Sequence, residues 1–228
     1  MNKTFPALML GFVCLMARAQ SAPPRTQATP PCSVTEDSIF HGARICGKSR
    51  EGSLGKADLT VAGFVIGEST LEDITRRFPG SHQFKLTEEM EASTGICLKS
   101  NGDDAVVFSS GDLTAPRILD SVFMAKAGTF EKQGAKCLEV TILPDGPSTK
   151  SGIRLGMRKE RVLARLQVTR LQGTGFEVDY STSPGNAPWL PLKFKASDTK
   201  GSVAMSGVYG GFRNGRLRWV VLYAGVSN

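Results

Sequence analysis

Two histidines, His41 and His82, are the side chains that could carry protons near neutral pH in this 228-residue chain, and both fall in its first half. Acid–base or nucleophilic catalysis needs a nucleophile, a base and an orienting group that converge with tuned protonation. No Gly-x-Ser-x-Gly occurs, and Ser206, in Ala-Met-Ser-Gly-Val, reads as a strand interior. The carboxylate pairs Glu88/Glu89 and Asp103/Asp104 are adjacent in sequence, which reads as solvated charge. Ser100-Asn-Gly-Asp-Asp104 lacks the alternating acids and closing Glu of a calcium loop and reads as a hairpin turn. Gly42-Ala-Arg-Ile-Cys-Gly47-Lys48-Ser49 satisfies the literal spacing of a phosphate loop. That chemistry requires a strand before the loop and a helix after it, so that backbone N–H groups converge on phosphates. Arg50-Glu-Gly-Ser-Leu-Gly55 follows instead, and two glycines so close together oppose a helix. These residues assign no catalytic, cofactor or metal role.

Charge and aromatic surface are the features with more to offer. Arg154, Arg158, Lys159, Arg161, Arg165 and Arg170 crowd one segment in which Glu160 is the only nearby acid. Helical spacing puts Arg158, Arg161 and Arg165 on one face, opposite Val162 and Leu166. Such a face is either solubilising or made for an anionic partner: an acidic protein groove, lipopolysaccharide phosphates or peptidoglycan carboxylates. The second half also holds Phe176, Tyr180, Trp189, Phe194, Tyr209, Phe212, Trp219 and Tyr223. Alternation sets Trp219, Val221 and Tyr223 on one face and Val220 and Leu222 on the other, so one of those sets is expected to be core. Trp219 reads better as core, whereas Trp189, flanked by Pro188 and Pro191, looks the more exposed. Arg158, Arg161, Arg165, Trp189, Tyr209 and Phe212 are the expected partner-binding residues.

Compartment follows from the ends and the cysteines. Lys3, an apolar run from Phe5 to Met16 and Ala17-Arg-Ala19 have the form of a cleaved secretory signal over residues 1–19. Bulky Phe12 and Val13 ahead of Cys14 argue against a lipid-attachment box. The remaining 209 residues carry 26 Lys and Arg against 21 Asp and Glu, and have no second apolar stretch long enough to span a bilayer. A periplasmic or secreted protein is expected, with no transmembrane segment and no nucleic-acid partner. Cys32, Cys46, Cys97 and Cys137 then imply two disulfides with three possible connectivities. Local reasoning prefers Cys32–Cys46 and Cys97–Cys137; a metal site has no Cys-x-x-Cys to support it.

The elements that would position these groups echo one another. Gly63 and Gly67 stand 89 residues before Gly152 and Gly156, and each pair leads through a polar turn into a short amphipathic helix. The first helix has Ser69 or Thr70 as N-cap, Leu71, Ile74 and Phe78 inward, and Pro79-Gly80 as its stop. The second is expected over Arg158 to Leu171. Strands are expected at 82–87, 94–99, 104–109, 118–126 and 136–143, then at 175–181, 189–196, 202–209 and 216–225. Asn214-Gly215 predicts a tight hairpin between the last two. Residues 20–58 form a Pro-rich leader and an irregular disulfide-linked segment. The expected fold is α+β: two tandem repeats, at 59–144 and 145–228, each a short helix followed by an antiparallel β-meander.

Gly152, Leu155, Gly156, Met157, Val162 and Leu166, then Phe212, Asn214, Gly215, Leu217 and Val220, follow a pattern that resembles the BamE/SmpA-like family of bacterial envelope proteins. The tandem also resembles the β-lactamase-inhibitor-protein fold. The resemblance implies a fold and no activity, since the matching residues are glycines and core apolars. The expected function is protein recognition in the periplasm, as an inhibitor, immunity or envelope-assembly factor using the second-half sheet, loops and basic helix. The alternative is an exported hydrolase or small-ligand-binding protein with a site between the repeats.

Overall fold

β-Branched and aromatic runs separated by Gly, Asn and Pro favour strands, and among the described residues nine of the eleven strands join one sheet. The computed structural model describes residues 34, 39, 49–87, 92–111, 117–141, 143, 145–168, 171–183, 186–187 and 202–227. In chain order these give β1 (Arg50–Glu51), β2 (Thr60–Val61), β3 (Phe64–Val65), α1 (Leu71–Arg77), β4 (Gln83–Thr87), β5 (Ala92–Lys99), β6 (Asp104–Gly111) and β7 (Ser121–Lys126). There follow α2 (Ala127–Glu131), β8 (Leu138–Glu139), α3 (Lys159–Arg165), β9 (Gly175–Thr182), β10 (Val203–Arg213) and β11 (Arg216–Ser227). The sheet runs β1-β9-β10-β11-β7-β6-β5-β4, with β8 added beside β5. It is mixed: β1 lies parallel to β9 and β8 parallel to β5, while the other pairs are antiparallel. β2 and β3 make a separate small ribbon.

This corrects the expected α+β fold of two helix-plus-meander repeats. The chain is mostly β, and among the described residues its three helices are of seven, five and seven residues. The decisive contact is β7 against β11, in register from Val220 opposite Met124 to Tyr223 opposite Ser121. Each of those strands would otherwise present an edge of unpaired N–H and C=O groups. Pairing satisfies both rows at once and makes one sheet from segments about a hundred residues apart. The second helix is also shorter than expected. It stops at Arg165 because Gln167 takes a left-handed backbone with φ of 52°, which breaks the 3.6-residue repeat.

Both faces of the sheet are covered, so the central strands do not simply alternate. In β6 every residue from Ala105 to Ser110 is buried. On one face Leu71, Ile74 and Phe78 of the α1 region and Val162 and Leu166 of the α3 region meet Ile96, Phe108, Met124, Val220 and Leu222. On the other, Phe130 of α2, with Val34 and Ile39, meets Val107, Phe123, Tyr209, Trp219 and Val221. The expectation that only one of the sets on β11 is core is therefore corrected: Trp219 and Val221 fill one side and Val220 and Leu222 the other.

Local signals set the ends of α1. Thr70 caps the helix, its hydroxyl accepting from the Asp73 N–H at 3.2 Å while the Asp73 carboxylate accepts from the Thr70 N–H at 3.0 Å. That backbone donor, ahead of the Thr70 hydroxyl and Arg76, holds the Asp73 carboxyl below its ordinary value against partial burial. The Cys97–Cys137 disulfide ties buried β5 to the chain just before β8, across 40 residues. The expected Cys32–Cys46 pair, the signal segment, Trp189 and the expected strand at 189–196 lie outside the described residues.

Candidate functional site

The β10–β11 hairpin organises the charged surface. Asn214 and Gly215 adopt φ of 54° and 68°, the positive values that a two-residue turn of right-handed twist requires. The chain entering α3 lies along the first residues of β11. Gly156 N–H donates to Leu217 O at 2.8 Å, Leu217 N–H to Met157 O at 2.9 Å, and Lys159 N–H to Gly215 O at 2.9 Å. The Arg216 guanidinium closes the junction by donating to Gly156 O at 2.9 Å.

This docking gathers arginines that are far apart in sequence. Arg154, Arg158, Arg161 and Arg216 line an open cleft of about 600 Å³, in which Asp145 is the one carboxylate. Arg165 borders it from the helix side, its guanidinium within 4.0 Å of where a Cβ on Gly152 would stand. In backbone register Arg158 bridges Arg216 and Arg216 faces Arg213, so three arginines occupy adjacent rungs. Neighbouring strands are about 4.8 Å apart, and like charges so placed repel. All five cleft arginines are exposed, and none forms an ion pair with a described residue. Cations at Arg158, Lys159 and Arg161 also oppose the dipole of the first turn of α3, an adverse effect of about 0.3–1 kcal/mol per charge. Glu160 in the first turn and Arg165 in the last suit the dipole and offset part of this; a bound anion would offset more.

The expected partner-binding residues divide. Arg158, Arg161 and Arg165 are brought together at the cleft. Tyr209 is 6% exposed and sits in the core with its ring 6.0 Å from Trp219 and 6.3 Å from Tyr223. Phe212 is half-buried against Phe176, ring centroids 5.3 Å apart. Trp189 is outside the described residues. Arg216 was not singled out by sequence reasoning, although its place beside Asn214-Gly215 marks a hairpin tip that presents its flanks.

A second constellation is buried. Tyr223 reaches over Gly207 and donates its hydroxyl hydrogen bond to Asp179, joining β11 to β9 across β10. Burial pushes the Asp179 carboxyl above its ordinary value, against hydrogen bonds to Tyr223 and Glu177 that pull it down. Burial, followed by the hydrogen bond to and charge of Asp179, pushes the Tyr223 phenol far above its ordinary value. A phenol so placed keeps its proton, which makes it a structural donor and a poor base. No local pattern marks this pair, whose members are 44 residues apart.

Asp179 carries a testable pH dependence. A carboxyl that binds its proton more tightly folded than unfolded favours folding fully below the unfolded value near 3.8, and that contribution is lost as pH rises through the raised folded value. Asp179→Asn keeps an acceptor for Tyr223 and removes the buried charge. Its unfolding midpoint relative to the parent is therefore expected to be more favourable at pH 8 than at pH 4. Thermal scans at the two pH values check this, and a variant that loses more at pH 8 contradicts it.

Among the described residues no group of His, Cys, Asp or Glu is arranged to hold a metal ion, and no helix is long and apolar enough to cross a membrane. Comparison of the chain with protein-family models, with curated proteins and with solved structures finds no match.

Proposed function

We propose that this chain is an exported protein-binding module that recognises an acidic partner through the cleft between α3 and the β10–β11 hairpin. One observation carries the reading: arginines from two segments, at 154–161 and at 216, converge on one open cleft and form no ion pair with a described residue. Guanidinium groups present planar forks that match carboxylates two bonds at a time, which suits an acidic protein surface. Export to the periplasm rests on the signal-like N-terminus, and the Cys97–Cys137 disulfide accords with an oxidising compartment. An inhibitor, immunity or envelope-assembly role accords with the BamE/SmpA-like resemblance. Recognition through an open sheet face receives no support, since the described sheet is covered on both sides; the cleft and hairpin take that place.

The test is fluorescence anisotropy with a labelled oligo-glutamate peptide at low and moderate salt. The parent is expected to bind in a salt-dependent way, and Arg158→Glu/Arg161→Glu to weaken binding at least about tenfold, since charge-assisted contacts contribute about 1.5–3 kcal/mol each before solvent screening. Both side chains are exposed, so the variant is expected to unfold at the parental temperature. Equal binding by parent and variant, or no binding by the parent at low salt, would refute the reading.

A further inference from the structure

A second cleft lies on the α2 side of the sheet. The face is fixed by Trp219, which shares a core cluster with Phe130 of α2, whereas Val162 of α3 packs with Val220 and Leu222. Lys126, Thr129, Thr174, Arg213, Arg218 and Trp219 line this cleft, whose volume is about 200 Å³. That is below the range of about 300–1,000 Å³ for drug-sized ligands and fits something smaller.

The floor of the cleft has an unusual donor. Trp219 is only 4% exposed. Its indole lies over Gly211, which also lines the cleft; of all atoms that a Cβ on Gly211 would meet, the indole Nε1 is the nearest, with Cε2 at 2.7 Å. A Cβ on residue 211 would collide with the indole. Indole N–H groups usually find an acceptor; this one has no hydrogen bond to a described residue and is not among the fully buried atoms left without a partner, so solvent reaches it. The walls have the same polarity. Every ionisable group on the lining is a cation, and the two threonines add hydroxyls. Lys126 is engaged by Asp104 at 2.6 Å and by Gly102 O at 3.1 Å. Arg213 and Arg218 are exposed and form no ion pair with a described residue. A solvent-reached N–H at the base and two exposed guanidinium groups at the rim suit a compact, acceptor-rich anion.

We propose that this cleft binds a small oxyanion, a carboxylate or a phosphate. The Trp219 indole N–H donates to it, and Arg213 and Arg218 hold its charge. The cleft shares no lining residue with the one beside α3, although Arg213 faces Arg216 across the hairpin.

The two tryptophans, Trp189 and Trp219, give two indole signals in a ¹⁵N–¹H spectrum, and Trp189→Phe assigns them. Sodium acetate and sodium phosphate are titrated separately into the ¹⁵N-labelled protein, with chloride holding ionic strength constant. The Trp219 signal is expected to shift saturably with at least one anion while the Trp189 signal stays in place. Acetate alone identifies a carboxylate site, and phosphate alone a phosphate site. Arg213→Gln/Arg218→Gln is expected to raise the apparent Kd at least tenfold while the amide spectrum of the core is unchanged. The proposal is overturned if neither anion shifts the Trp219 signal saturably, or if the double variant responds as the parent does.

Discussion

Gly207→Ala is expected to lower the unfolding midpoint by roughly 10 °C. A Cβ on Gly207 would collide with the Tyr223 ring, lying 2.6 Å from Cε1 and nearer still to Cζ and the hydroxyl. The ring is half-buried and held in place, its hydroxyl bonded to Asp179 and its ring beside Tyr209. Overpacking costs about 1–3 kcal/mol. Displacing the tyrosine also strips a hydrogen bond from a carboxyl that is 5% exposed, a penalty of about 1–3 kcal/mol more. In a chain of this size each kcal/mol is worth about 2–4 °C. Because the mechanism is a collision between two named groups, the double variant Gly207→Ala/Tyr223→Ala should lose less than the sum of the singles, by about 1–3 kcal/mol. Denaturant unfolding of the four proteins measures that coupling; strict additivity would show that the glycine is needed for another reason.

Cys97→Ser/Cys137→Ser is expected to cost about 4 kcal/mol, from the chain entropy released when a loop of about 40 residues is opened in the unfolded state. The native state suffers too. Cys97 is fully buried on the α2 face of β5, and Cys137 immediately precedes the two residues of β8 that pair with Leu98 and Lys99. Without the bond a two-residue strand has little to hold it, so the segment from α2 to Val140 should exchange its amides faster than the rest of the sheet. Thermal unfolding with and without reductant, beside the double serine variant, gives the measurement. A midpoint unchanged by both treatments would mean that the bond does not form in the protein.

Some of this architecture is legible in the residues alone because its causes are local. The positive φ at Asn214 and Gly215, the reciprocal bonds of Thr70 and Asp73, and the stop of α1 after Arg77 each depend on groups within about four positions. The crowding of Arg158, Arg161 and Arg165 is equally visible as spacing on a helix. The Cys97–Cys137 pair lay within reach of local reasoning, as one of three connectivities.

The fold class was misread because its determining contact is not local. Helix signals at 71–77 and 159–165 are real, but seven residues cannot dominate a chain whose β7 and β11 find each other across about a hundred positions. Alternation assigns a strand one wet face and one dry face, and that rule fails where both faces of a continuous sheet are covered, as at Val220 and Val221. The same closure put Tyr209 in the core, joined Tyr223 to Asp179 and laid Arg216 beside Arg158. Propensity, turn chemistry and charge spacing determined which short segments form and where the cations sit along them. Only the pairing of distant edges, driven by the need to satisfy backbone groups and bury apolar surface on two sides, decided which of those cations share a cleft.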